Sequence, residues 1–491
     1  MLARVLSSSG TILRYPLPHN SGSPVRVAHH LPHNSPKMSI CRPHLGCTFV
    51  VVWPAQPRII RVDITYLDNL DLTAPVEEFP VTPAPQFAPD PSTEVTPGFN
   101  HRNHLSSLFA QGSSAWLGVA LQHPAVPELA PERVAELFSQ LLHRHDALRW
   151  AVFLPSSQQP PFFSTPTYTV HALPPEAVDI QSGENCPVEQ LESLISQRCS
   201  PLGSPGAFCA RSGDFLLLCF DHLHVDMISM DILARELYSL LEGDDLSARE
   251  LAAQPAAYSY AQALQNRDAV ERDSWDAELA EEVWGEFFRD TSGTIPGFPA
   301  DLGVEKKETL PAAHETFVLV PESDLREEIA GKPFPHILTA MARVLGKRVP
   351  LLIPMHTRGK AGSPAQNTVG WLVGNAPIVA VPEPTPVATR AGLRNAVAAQ
   401  GLSLEKVLSH YAPEFPHATI FSASFIDFTK RGGSVPGAHY VSSRSAVDSA
   451  ILWFSRTECG IAVRACYPDT PQARSFMKGF FAQLSTELGA E

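Results

Sequence analysis

The sequence has no apolar run approaching the roughly 18 residues that a bilayer-spanning helix needs, which excludes an integral helical membrane protein. Positive charge is in short supply: 37 Lys and Arg stand against 51 Asp and Glu, a net charge of −14. A nucleic-acid partner would demand the opposite balance. Cysteine is sparse as well. Eight in 491 residues, with no C-x-x-C pair and no His/Cys spacing suited to zinc, exclude a disulfide scaffold and a structural zinc site. The expectation is a reduced, cytoplasmic protein, with association at a membrane surface left open. Acidic residues are missing altogether before Asp63, where seven basic residues stand alone; the rest of the chain holds 30 basic and 51 acidic groups. That first stretch repeats L-P-H-N-S at Leu17–Ser21 and Leu31–Ser35. Its Arg-rich, acid-poor composition is that of an organelle transit peptide, yet its prolines break any long amphipathic helix and no secretory cleavage pattern is present. Residues 1–61 are expected to be a disordered leader, or sequence upstream of the true start.

What is present is ample apolar material, 44% against 18% charged, in a chain long enough for two or three cores. Residues 73–99 hold seven prolines, which favours an extended segment wrapping the following domain over a packed element. Regular structure is expected from residue 100. Leu117, Val119 and Leu121 alternate along Trp116–Gln122, a strand. Pro131 opens a helix whose Val134, Leu137, Phe138, Leu141 and Leu142 form one apolar stripe. Phe215–Phe220 reads as a buried strand, Asp221–Asp226 as a polar loop and Ser229–Leu241 as a helix. Residues 259–288 read as helical, and Thr291–Gly303 as a boundary. The second half repeats the mixture, with strands at Glu315–Val320, Val349–Pro354 and His417–Phe425 and a helix at Pro335–Leu345. A hairpin of Ala450–Arg456 with Ile461–Tyr467 follows, then a last helix started by Thr470 and Pro471. The expected fold class is α+β, divided into 1–61, an extended 62–99, and two halves, 100–303 and 304–491.

Chemistry concentrates in D-H-L-H-V-D-M-I-S-M-D, Asp221–Asp231, where strand, polar loop and helix follow in order. His222 carries an imidazole, whose unperturbed pKa of about 6.5 suits proton removal near neutrality. Asp226, four residues on, can hold the loop in shape through an ion pair. H-x-x-x-D alone decides nothing, since with 19 His about one chance match is expected. Ser229 reads as a helix N-cap, and Arg144 and Arg149 as structural charges at the end of the first helix. Lys430-Arg431-Gly432-Gly433 reads as a solvated turn, with contact to a phosphate as the competing reading.

In its context the segment resembles the H-H-x-x-x-D-G signature of the condensation-domain and CoA-dependent acyltransferase superfamily. That superfamily includes chloramphenicol acetyltransferase, nonribosomal peptide condensation domains and the mycobacterial polyketide-associated acyltransferases. Asp221 stands where the signature has its first His, His222 matches the second, Asp226 matches the Asp, and Met227 replaces Gly. The D-H-x-H-x-D form is most similar to the actinobacterial polyketide-associated branch. R-H-D-A-L-R (Arg144–Arg149), P-M-H-T-R (Pro354–Arg358), V-G-W-L-V-G-N-A-P (Val369–Pro377) and S-F-I-D-F (Ser424–Phe428) resemble further family segments, in the family's order.

The resemblance implies two chloramphenicol-acetyltransferase-like subdomains in a V-shaped pseudo-dimer with a central tunnel. It implies an acyltransferase in which His222, as general base, directs a fatty or polyketide acyl group from a thioester to a hydroxyl of a lipid or glycolipid. No acyl-enzyme is needed, which agrees with the absence of G-x-S-x-G. Asp226 and Arg358 would pair in support. Asp221, His224, Met227 and Trp371 are candidates for lining the tunnel, although the family pattern gives His224 no role and a tryptophan such as Trp371 is more often core than a substrate stack. Met227, where a glycine would leave room, would narrow the channel, alter the choice of acceptor or mark a degenerate site. The implied donor is acyl-CoA or a phosphopantetheinyl carrier protein of a polyketide synthase, and the acceptor a hydroxyl or an amine; no permanent cofactor and no metal are implied, and the protein is expected as a monomer. The alternatives are a stand-alone condensation enzyme forming an amide or ester, and a non-catalytic acyl-binding or scaffold protein.

Overall fold

The computed structural model describes residues 64–489 apart from 73–74, 85–88, 90, 113, 155–166, 182–184, 244–258, 262, 265–274, 306–307 and 361, together with two short strands near the start. Contacts divide the chain into residues 1–59 and 60–491. In the first unit Arg4–Leu6 pairs antiparallel with Ile12–Arg14. The expectation of a leader without structure otherwise lies outside the described residues.

The second unit is built on two seven-stranded sheets. The first runs Asn185–Cys186, Val76–Glu78, Ala207–Ser212, Phe215–Asp221, Trp116–Gln122, Ala438–Ser442, Ile64–Thr65. Its central strand, Phe215–Asp221, is buried along its whole length because both faces are covered. Leu216, Leu218 and Phe220 pack with Leu137 and Phe138 of the helix Pro131–Arg144 and with Leu233 of the helix Met227–Leu241. Phe215, Leu217 and Cys219 pack on the other side with Leu191 and Ile195 of the helix Leu191–Arg198. Burial on both faces is what a continuous apolar run encodes.

The second sheet runs Val373–Ala380, Val349–His356, Ser422–Asp427, Ile451–Thr457, Gly460–Pro468, Leu310–Pro321, Ala446–Val447. The helices Pro333–Val344 and Pro471–Leu488 cover it through Ile337, Met341, Met477 and Phe481. Thr470 caps the last helix by accepting the Ala473 N–H at 2.9 Å. No helix among the described residues is long and apolar enough to cross a membrane.

Two features depart from the sequence-based division. The proline-rich 62–99 is not merely wrapped over the surface. Ile64–Thr65 and Val76–Glu78 join the first sheet, Val81–Pro83 pairs with Val178–Ile180, and Glu94–Val95 with Thr169–Ala172. Val76 and Phe79 are fully buried, and the Phe79 N–H donates to the Cys209 carbonyl at 2.7 Å. Prolines break ladders only where they fall, and here Val76–Glu78 contains none. The halves also exchange structure. Ala438–Ser442, from the second half, lies between Trp116–Gln122 and Ile64–Thr65 and covers an edge that would otherwise be open.

Candidate active site

His222 is the first residue past the central strand, and its backbone N–H still donates to the Ala115 carbonyl at 2.9 Å. Its ring is half-buried and lines a cavity of about 1340 Å³. Asn100, Leu117 and Met227 supply wall from the first half; Met355, Phe425 and Trp453 supply it from the second. Nδ1 is closed off from solvent, has no partner on another residue, and lies against the residue's own carbonyl. Nε2 is therefore the nitrogen left to the cavity. Trp371 stacks on the ring, with centroids 4.1 Å apart and planes 29° from parallel. Burial first, and then His104, push the imidazole below its ordinary range, outweighing the upward pull of its own carbonyl, Asp221 and Asp226. At neutral pH it is an unprotonated base.

Asp226 and Arg358 form a buried, bidentate pair, with Nη1 to Oδ2 at 2.7 Å and Nη2 to Oδ1 at 2.8 Å. Asp226 also caps the helix Met227–Leu241, its Oδ1 accepting the Ser229 N–H at 2.8 Å. The cap is thus Asp226 and not Ser229, because Asp226 is the residue with extended backbone (φ −120°, ψ −179°) and Ser229 already lies within the first turn. The Ser229 hydroxyl instead sits among Asp226, Arg358 and Gly370. Arg358 is fully buried, and its Nε and Nη2 also donate to the Thr368 and Gly370 carbonyls, each at 3.0 Å. Leu372 N–H donates to Asp226 Oδ2 at 3.2 Å. Gly370 has φ +153° and the Tyr260 ring against it, so that a Cβ there would stand 2.2 Å from Tyr260 Cδ2. Burial alone would raise the Asp226 carboxyl; the Arg358 guanidinium and the Ser229 donors reverse this and hold it below the ordinary carboxylate range. The cluster ties the loop carrying His222 to the loop carrying Trp371.

Met227 and Trp371 line the cavity as expected from the sequence, but Asp221 and His224 do not. Asp221 is fully buried on the far face of the sheet, its Oδ1 accepting the Leu223 N–H at 2.7 Å and the His104 Nε2–H at 2.8 Å. Its Oδ2 is buried without a partner among the described residues. His224 donates from Nδ1 to the Ala147 carbonyl at 2.7 Å and accepts the Gly206 N–H at Nε2 at 3.2 Å. With both nitrogens engaged it is a brace. The pleat turns Asp221 away, and the turn closed by His224 N–H on the Asp221 carbonyl, at 3.0 Å, carries His224 inward.

Sequence reasoning missed His101 and His104, whose rings stand edge-on to Trp371 at 5.6 and 5.9 Å. Their spacing of three in N-H-R-N-H, on the helix Phe99–Gln111, was the available signal. Away from the cavity, Arg144 pairs with Glu236 at 3.0 Å, and Arg149 donates to the Leu173 and His143 carbonyls at 2.9 and 2.8 Å. Lys430 and Arg431 are engaged by Asp427 and Asp231, each at 3.0 Å.

No family model matches the sequence, and no curated protein matches it. Solved structures do match the fold. PapA2 acyl transferase superposes with a TM-score of 0.68 at 17% identity, covering 86% of this chain and 98% of its own. The first condensation domain of the calcium-dependent antibiotic synthetase gives 0.55 at 13% identity, covering 80% and 97%. The condensation domain of the monacolin K polyketide synthase MokA gives 0.55 at 13%, covering 80% and 96%. With two sheets, a strand exchanged between halves and a cavity walled by both, this chain has the fold that these acyltransferase and condensation-domain structures share.

Proposed function

We propose that the protein is an acyltransferase that passes an acyl group from a thioester directly to an acceptor oxygen in this cavity. The observation that carries the reading is His222: an imidazole held below its ordinary pKa, with Nδ1 closed off from solvent, on the wall of a cavity formed by both halves, which leaves Nε2 as the base. The acceptor O–H gives its proton to Nε2 as the oxygen attacks the thioester carbonyl carbon. The tetrahedral intermediate then expels the thiolate, which takes the proton back from Nε2. The donor is an acyl-CoA or a phosphopantetheinyl carrier protein. An acceptor hydroxyl on a lipid or glycolipid suits the apolar wall that Leu117, Ile353, Phe425, Ile451 and Phe454 provide. Asp226 and Arg358 position the loop and take no proton.

General-base catalysis contributes about 10²–10⁴-fold, so His222→Ala should lower kcat by that factor with donor binding unchanged. The rate should also fall as pH drops through a pKa below the ordinary histidine value, because the protonated ring accepts nothing. Thioester consumption with a panel of hydroxyl acceptors measures both. Equal rates for His222→Ala and wild type would remove the reading.

A further inference from the structure

Arg464, midway along the strand Gly460–Pro468, lines the same cavity as His222 and is 7% exposed. A guanidinium taken this far from water is strongly disfavoured unless it is paired. Its partners are neutral. Nη2 donates to His314 Nδ1 and to the Ser442 hydroxyl at 3.1 Å, and the guanidinium lies 4.9 Å over the Trp453 ring. The acidic groups acting on it most strongly are Cys466 and Tyr66; burial pushes that thiol up to about 11 and that phenol up to about 12, so neither is charged at pH 7. Among the described residues no carboxylate pairs with it. Arg464 Nε is buried without a partner, and so is His314 Nε2, which must carry the ring proton because Nδ1 accepts.

Phe220, Leu117 and Ser442 are register partners across three adjacent strands, and Leu117 is cavity wall. Ser442, to which Arg464 is bonded, therefore lies two strands from the one that leads into His222, roughly 10 Å at ~4.8 Å per strand. Between the two lies apolar wall.

We propose that Arg464 binds an anionic oxygen group, a carboxylate or a phosphate, on a substrate of this cavity. The inference rests on reading the cavity as the site of acyl transfer, with one part of the substrate at His222 and its charged group at Arg464. A guanidinium N–H makes a charge-assisted hydrogen bond to either oxyanion, and an anion neutralises the buried charge where an alcohol or ester cannot. Lys360 also borders the cavity, but it is exposed and hydrated.

Calorimetric titration of octanoate, octyl phosphate and methyl octanoate into the full chain tests this. At least one anion should bind wild type tenfold or more tighter than the ester, and Arg464→Gln should erase the difference. Octanoate preferred alone marks a carboxylate site; octyl phosphate preferred alone marks a phosphate site. An ester that binds wild type as tightly as both anions overturns the proposal without any variant being made. A preference that survives in Arg464→Gln also overturns it, placing the anion elsewhere, as at Lys360. These titrations need no turnover. An inert His222→Ala comparison would sink the acyl-transfer reading and leave the anion site standing, and a lost anion preference would do the reverse.

Discussion

Arg358 and Arg464 border one cavity, both are buried, and they differ in what surrounds them. Arg358 has a carboxylate on both terminal nitrogens and two backbone carbonyls besides. Arg464 has an imidazole, a hydroxyl and an indole face, with both hydrogen bonds on Nη2 and Nε buried without a partner. Burial of a charge is common to the two and so distinguishes nothing. Completeness of partners does. A guanidinium saturated in charge by a carboxylate orders the loops that it joins and is already neutralised before any ligand arrives. An unsaturated one adds little to the fold and keeps a donor for something that arrives later.

Removing each should separate them most sharply. Arg358→Met leaves the Asp226 carboxylate buried and unpaired and should cost about 3–5 kcal/mol. Adding Asp226→Leu should recover much of that stability while activity stays lost, because the loop that carries His222 has lost its brace. Arg464→Met deletes an uncompensated charge at the expense of three neutral contacts, so its change should stay within about 1 kcal/mol of zero. Urea unfolding of the three variants reads the difference. Equal destabilisation at the two arginines would erase the contrast.

Acid should weaken the Arg464 side first. His314, which accepts from Arg464, is pushed down to about 3 by burial and then by Arg464 and Arg444. Its unfolded counterpart titrates near 6.5. Between those values the unfolded state binds a proton that the folded state refuses, so stability falls as pH falls, by up to ~1.4 kcal/mol per unit. Asp226 acts in a lower window, since its folded carboxyl lies below the ordinary value. Its contribution is complete above about 3.9 and is lost only as pH falls through the depressed folded value. His222, His224, His336 and His356 are also held down and share the slope, so the readout is a difference between variants. His314→Gln should flatten stability against pH between 6.5 and 4, whereas Arg358→Met, which leaves burial to raise the Asp226 carboxyl, should cost most near neutrality and less as pH falls. Parallel curves for wild type and His314→Gln would show that His314 is protonated in the fold.

This asymmetry was only half legible in the sequence. Elements whose period and burial coincide could be read directly: Trp116–Gln122, the stripe on Pro131–Arg144, the hairpin of Ile451–Thr457 with Gly460–Pro468, the Thr470 cap. The proline-rich segment was misread because a proline count ignores the proline-free triplet between, and nothing in five residues says which sheet Ala438–Ser442 will join. Asp226 and Arg358 lie 132 residues apart, and only the family resemblance, not spacing, suggested them as partners. Arg464 was visible as a lone cation in G-I-A-V-R-A-C-Y. Its want of a counter-ion was not, because that depends on His314, 150 residues away, and on a cavity that exists only once both halves are assembled.

The smallest expected effect concerns what the saturated side of the cavity does for His222. Thr368 and Gly370 accept from Arg358, and Leu372 donates to Asp226, so the pair grips the backbone on both sides of Trp371. Trp371 in turn covers one face of the His222 ring at 4.1 Å, and burial is the leading cause of that ring's lowered pKa. Trp371→Phe keeps a smaller aromatic cover; Trp371→Ala opens the face to water. Hydration favours the protonated form, so the His222 pKa should climb towards its ordinary value, further for Ala than for Phe. A base whose pKa rises is protonated sooner on acidification. The acid limb of the rate profile should therefore move to higher pH, while rates well above neutrality stay within about tenfold of wild type, since the base itself remains. Stability should change less than in Arg358→Met, because the half-buried indole leaves no charge unpaired when removed. A profile that stays in place for both variants would assign the lowered pKa to His104 and the protein behind the ring. Trp371 would then be a wall of the cavity and nothing more.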